Sequence, residues 1–262
     1  MNELTVALIG HGAIGSVIAG ALHEGRVPGA RLVAIVDPAT PPAPPLPAAS
    51  LDTALDRAEL VVECAGQTAL RETGPAVIAA GRHLLALSTG ALADDALHQR
   101  LRAGPGRLSL CAGAVGGLDL LAAATLRAPF DTVTIRTCKA PGSLLRPWMT
   151  EAETTRLHTT TVPYEVLRAP ARKVTRAFPA TSNVAASVAL AVGDWDLVEA
   201  VVVADPDATL SRHEIEATGP AGSYRFEIAN LPSPSNPRTS GIVPYAVLRA
   251  IRAFTGASGD VV

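Results

Sequence analysis

The stretch LTVALIGHGAIGSVIAGAL, residues 4–22, decides the architecture. Leu4 to Ile9 is an aliphatic run of strand length, Gly10, Gly12 and Gly15 follow as GxGxxG, and an apolar helical pattern opens directly behind them. Each glycine has a task in such a strand-to-helix turn. Gly10 permits the tight turn, Gly12 lets the main chain approach a pyrophosphate, and Gly15 lets the helix pack on the strand. Ala13 and Ile14 complete the loop, where first-turn N–H groups and the positive end of the helix dipole suit an anion.

Working outward, the same grammar repeats. Strands are predicted at 4–9, 31–36, 59–63, 83–87 and 107–111, with helices near 13–23, 68–80 and 91–102. Strands that alternate with helices make a parallel sheet, and burial on both faces explains their continuous Val, Leu, Ile and Ala. The first part is therefore α/β, a Rossmann-type parallel-sheet domain. The proline-rich segment Pro38 to Ala49 cannot enter a central strand or a helix interior and reads as a surface loop.

Beyond about residue 116 the pattern changes. Strands predicted at 131–137, 197–204, 209–217 and 223–229 follow one another with one strong helix, 181–192, among them. This is a second, α+β domain with a mainly antiparallel or mixed sheet. Residues 240–253 have apolar positions at helical spacing, with Pro244 in the first turn of a closing helix.

Composition narrows the function classes. A 48% hydrophobic content over 262 residues builds a sizeable core, and a net charge of −2, from 22 Lys+Arg against 24 Asp+Glu, leaves no basic footprint for nucleic acid or an anionic membrane. The apolar run at the start is too short to span a bilayer and has neither basic leader nor cleavage site, so a cytoplasmic location is expected. Cys64, Cys111 and Cys138 are too widely spaced for paired metal ligands and read as reduced thiols; no metal site is expected.

Asp37 ends the second strand about 20 residues after the last glycine, where a carboxylate accepts from the adenosine ribose hydroxyls and repels a 2′-phosphate. That favours NAD over NADP, unless Arg26 or Arg31 turns in to receive the phosphate; a solvated turn carboxylate before proline is the plainer alternative. The cluster CAGAVGGLD at 111–119 lies at the sheet's carboxyl edge, either against a nicotinamide or as a turn between domains. His213 sits on a predicted strand beside Glu214, a proton carrier near neutral pH or a structural strand histidine. It has no second His four residues on, as a zinc-binding helix would need. Asn183 is either an N-cap or an amide for the nicotinamide carboxamide. Asn236, Arg238, Thr239 and Ser240 gather in a polar loop before the closing helix, suited to a carboxylate or to capping.

Taken together, GHGAIG at 10–15, VVECAG at 61–66, LSTGALAD at 87–94, GAVGGLD at 113–119, TCKAP at 137–141, FPATSNVAAS at 178–187, ADP at 204–206, RHEI at 212–215 and NPRTS at 236–240 resemble the L-aspartate dehydrogenases associated with NAD biosynthesis. The resemblance runs in family order along nearly the whole chain, weakly at 38–56 and 142–176. It implies a dinucleotide-binding domain at 1–116 and 239–262, with the C-terminal helix returning to it, and a catalytic domain at 117–238. It also implies His213 as the active-site histidine and Ala114 and Asn183 as NAD contacts. Cys64, Gly66 and Cys138 depart from the family's usual residues and are expected near the pocket.

The implied reaction passes the Cα hydride of a dicarboxylic amino acid to the nicotinamide, leaving an imine that water hydrolyses. His213 then exchanges the proton, with Glu214 as its orienter if the two share a strand face. Lys139 and Arg238 are candidates to pair the substrate carboxylates. Another small amino or imino acid as substrate, or an NAD(H)-binding regulator without turnover, are the competing readings. A homodimer is expected if the apolar strands of the second domain stay exposed.

Overall fold

The computed structural model describes residues 3–179 and 182–256, with the side chains of Pro237 and Arg238 outside the description. The chain divides into two compact units: one runs through Gly113 and resumes at Val243, the other is Ala114–Ile242.

In the first unit the predicted aliphatic runs become β1 (Leu4–Ile9), β2 (Ala30–Val36), β3 (Leu60–Glu63), β4 (His83–Ala86) and β5 (Arg107–Leu110). Helices α1 (Gly15–His23), α2 (Leu51–Arg57), α3 (Gln67–Ala79) and α4 (Asp95–Ala103) make the crossovers. All neighbours pair in parallel in the order β2-β1-β3-β4-β5. Chain direction across the sheet therefore reverses at β1 and β3, the place where open α/β sheets leave a crevice outside their carboxyl ends. Val6, Leu8, Leu60 and Val62 are fully buried there, each contributing about 1.5–3 kcal/mol. Helix α2 was not expected: Ser50 caps it by accepting from Thr53 N at 3.2 Å, but seven residues are too few to display a period.

The second unit is built on β6 (Thr132–Lys139), β7 (Tyr164–Pro170), β8 (Val198–Ala204), β9 (Ser211–Gly219) and β10 (Gly222–Asn230), in the order β10-β9-β6-β8-β7. Only β6 and β8 run parallel, so the sheet is mixed. The expected helix at 181–192 is α8 (Asn183–Val192), accompanied by α5 (Leu118–Arg127), α6 (Glu151–Thr159) and α7 (Ala171–Ala177), which the sequence reading did not assign. Gly117 starts α5 at φ 77, and a Cβ there would stand 2.6 Å from the Phe226 ring, so glycine is required twice over. The expected polar loop before the closing helix is instead a hairpin of β11 (Pro232–Ser233) and β12 (Asn236–Ser240).

Strand pleating sorts the second sheet into two faces. Val133, Ile135, Ile215, Ala217 and Val198 turn inward and are buried. The outer face is charged: Arg136 pairs with Glu165 at 3.0 Å, Arg168 with Glu165 and Glu199, and Arg225 with Glu214.

The chain closes with α9 (Val243–Phe254), which carries Pro244 in its first turn, where the missing N–H costs nothing. Val247 and Ile251, one turn apart, join the core of Val6, Leu8, Ile18 and Leu60 in the first unit.

Candidate active site

At the switch point, Gly10 adopts φ 103 and a Cβ on it would meet Ala65 at 2.9 Å. A Cβ on Gly15 would collide with the Gly10 carbonyl oxygen. Both glycines are demanded by the chain's own packing. Gly12 is different, because its φ is unexceptional and a Cβ there would meet nothing within 4 Å. Bare main chain exposed at this point suits the close approach of a group from outside the chain. Ala13 and Ile14 lead into α1, whose first turn carries no acidic residue to repel an anion.

Asp37 stands just beyond β2, where its Oδ2 accepts from His11 N at 2.6 Å and its Oδ1 from Ala39 N at 3.0 Å and Thr40 N at 2.8 Å. Burial pushes its pKa up, but these three N–H bonds outweigh it and hold the carboxyl below its ordinary value. An ionised carboxylate is therefore fixed beside the glycine loop.

Glu63 is a residue the sequence reading passed over. It ends β3 with no exposed surface, and four donors converge on it: Ala65 N and Gly66 N at 2.9 Å, Ser88 Oγ at 2.9 Å and Ser88 N at 3.1 Å. Burial is the largest influence and holds its pKa above the ordinary carboxylate value, with the Ser88 hydroxyl and the N–H bonds acting against that rise. The signal in the sequence was an acid closing an otherwise aliphatic run, VVE.

The second unit holds a separate polar cluster. On β6 the inward residues are Val133, Ile135, Thr137 and Lys139; on β9 they are Ala217, Ile215, His213 and Ser211. Register pairs Val133 with Ala217, Ile135 with Ile215 and Thr137 with His213, so an apolar face turns polar toward the end of β6. His213 is 1% exposed and its Nδ1 lies 3.1 Å from Thr137 Oγ1. Burial, helped by the Lys139 ammonium, pulls its pKa down to about 3, so the imidazole is neutral at pH 7. Lys139 is itself buried, and burial together with Arg146 lowers its pKa to about 8. Arg146 donates to the carbonyls of Leu145 at 2.6 Å and Ser143 at 3.1 Å and lies over the Phe178 ring.

Glu214 is not the orienter of His213. As the next residue on a pleated strand it points to the outer face and pairs with Arg225; Thr137, which the sequence reading did not single out, holds the ring instead. Cys138 likewise turns away from Lys139, with its Sγ 3.5 Å from Asp205. Cys64 packs its Sγ against the carbonyls of Ile9 and Gly10, where burial pushes the thiol pKa up and leaves it unreactive.

Asn183 is the first residue of α8 rather than its cap, which is Ser182. Ser182 and Thr137 line one internal cavity of the second unit, which brings the start of α8 to the polar end of the sheet. The Ala114 carbonyl accepts from Asn230 Nδ2 at 2.8 Å. Asn236, Thr239 and the buried Ser240 lie on β12, while the Arg238 side chain falls outside the described residues. Among the described residues no cluster of His, Cys, Asp or Glu could hold a metal ion, and no helix is long and apolar enough to cross a membrane.

Comparison with known proteins agrees with this division of labour. Residues 10–104 match the family described as homoserine dehydrogenase, NAD binding domain, and residues 119–254 match that described as aspartate dehydrogenase, C-terminal. The chain is 38% identical to L-aspartate dehydrogenase of Ruegeria pomeroyi, covering 96% of this chain and 92% of that one. It is 36% identical to L-aspartate dehydrogenase 2 of Bordetella pertussis, covering 94% and 95% respectively. The crystal structure of aspartate dehydrogenase from Thermotoga maritima superposes with a TM-score of 0.73 over 100% of this chain and 99% of that one, at 23% identity, and so shares the fold. With both units matched in order and relatives similar along almost their full length, the chain belongs to the L-aspartate dehydrogenase family.

Proposed function

We propose that the chain is an NAD(P)-dependent dehydrogenase that oxidises L-aspartate to iminoaspartate, which water converts to oxaloacetate and ammonia. The observation that carries this reading is the buried cluster of His213, Thr137 and Lys139 in a member of this family. Gly12, Ala13 and Ile14 would hold the pyrophosphate, Asp37 the adenosine ribose, and Ala114 and Asn183 the nicotinamide half. When bound, the nicotinamide takes the hydride from the substrate Cα.

The side chains of the second unit do the rest. In the tautomer with its proton on Nδ1, His213 donates to Thr137 Oγ1, 3.1 Å away, and that tautomer leaves the Nε2 lone pair to take a proton from the amine or from the attacking water. Lys139 binds a substrate carboxylate, with Arg238, Asn236, Thr239 and Ser240 as the candidate set for the other. Burial is the larger cause of the low His213 pKa and the Lys139 charge the smaller; a carboxylate placed beside Lys139 offsets the smaller one, so substrate raises the basicity of the imidazole in part.

The deciding assay follows NADH formation with L-aspartate against L-glutamate, L-alanine and D-aspartate. Preference for L-aspartate supports the assignment, preference for another amino acid reassigns the substrate, and tight NADH binding without turnover on any of them marks a regulator.

Two variants probe the binding groups. Lys139 loses its charge above about pH 8, so KM for L-aspartate should rise from there while kcat holds better. Lys139→Met should raise KM roughly 10- to 150-fold at neutral pH, the worth of a charged hydrogen bond, and abolish the rise above pH 8. A KM profile identical in wild type and variant removes Lys139 from the substrate site. Asp37→Ala should weaken NAD binding by about tenfold while relatively improving NADP, since it deletes both the ribose acceptor and the charge that repels a 2′-phosphate. Unchanged discrimination between the two cofactors would sink the role given to Asp37.

A further inference from the structure

Glu63 is not accounted for by any step above, yet it is the acid most completely enclosed by donors in the first unit. Its partners come from two different turns: Ala65 and Gly66 follow β3, and Ser88 follows β4. Burial raises the Glu63 pKa, but each of these four contacts brings an N–H or O–H to the carboxylate, an acceptor-only arrangement that suits the ionised group and works against that rise. A neutral Gln in its place would turn an NH₂ toward one of those donors and lose that bond. The sheet order also assigns the crevice. Asp37 at the end of β2 and the glycine loop after β1 take the adenosine and pyrophosphate, which leaves the ends of β3 and β4 to the nicotinamide half.

We propose that Glu63 is a positioning residue for the oxidised cofactor, clamping the turns after β3 and β4 together and fixing a negative charge at the nicotinamide end of the crevice. The nicotinamide ring is cationic when oxidised and neutral when reduced, so a fixed carboxylate there favours NAD⁺ over NADH and holds the cofactor in the form that accepts a hydride. A carboxylate that merely tied two turns together would affect the two redox forms alike. This inference rests on the nicotinamide cofactor proposed above, but not on the identity of the amino acid.

The test is a pair of dissociation constants, for NAD⁺ and for NADH, measured by calorimetry without substrate. Glu63→Gln should weaken NAD⁺ by about tenfold and NADH by less than about threefold. Equal losses, or no change in either constant, overturn the proposal. Glu63→Asp keeps the charge on a shorter stem and should hold the NAD⁺ to NADH ratio within about threefold of wild type even if both weaken. It also decides the matter should the Gln variant not fold: a retained ratio supports the charge, a lost ratio overturns it. Wild-type chain that binds neither form overturns the cofactor reading itself, which separates that failure from a failure of Glu63 alone.

Discussion

His213→Asn is expected to lower turnover of L-aspartate by about 10²–10⁴-fold, the range for loss of a general acid or base, with little change in NADH affinity. The groups proposed to bind pyrophosphate and adenosine, around Gly12 and Asp37, lie in the first unit, whereas His213 belongs to the second. The asparagine keeps a polar group for Thr137 but cannot carry a proton at neutral pH. The rate profile should therefore lose the limb that belongs to the imidazole. In wild type that limb should stand at higher pH in kcat than in kcat/KM, because kcat reports the complex in which a carboxylate offsets Lys139. Acid stability gives a second reading with a definite sign. The folded pKa of about 3 is below the ordinary 6.5, so between those values the unfolded chain takes up a proton that the fold refuses. Wild type should lose stability as pH falls through that window, and His213→Asn should lose less. A folded variant that oxidises L-aspartate at near wild-type rate makes His213 a structural strand residue.

What could be read from sequence was what local chemistry encodes. Gly10, Gly12 and Gly15 sit within one turn, and the strand ahead of them and helix behind them show their periods without reference to anything distant. The face of His213 was also legible in principle, since alternation along β9 separates it from Glu214. Its partner was not. Thr137 and His213 meet because β6 and β9 pair in one register, and nothing in either segment fixes that register alone. Glu63 is the same case: Ser88 reaches it from the next strand's turn, so a buried acid looked like the end of a strand until its donors were assembled. Helices α2 and α7, at seven residues each, are too short to show a period, and packing rather than propensity stabilises them. The residues at 236–240 read as a loop because Pro237 argues against a central strand; β12 evades that rule by pairing on one side only, with β11.

Gly12→Val separates the two meanings of a glycine in this loop, and its effect on cofactor binding should be the largest of any single substitution there. Val at Gly15 would drive a side chain into the Gly10 carbonyl, and Val at Gly10 would meet Ala65 in a backbone conformation that a β-branched residue avoids. Either change costs stability, so loss of binding would say little about the cofactor. At Gly12 the chain has room, with nothing within 4 Å of the added Cβ and no left-handed φ to forbid it. The variant should therefore fold, with a Tm within a few degrees of wild type. It should nevertheless lose NADH affinity by at least about 100-fold, because the side chain occupies the space through which the pyrophosphate reaches the main chain. Calorimetric titration with NADH, beside a thermal melt without it, reads both halves. A stable Gly12→Val protein with wild-type affinity would falsify the placement of the pyrophosphate, and Gly12 would then be a surface glycine of no consequence to the site.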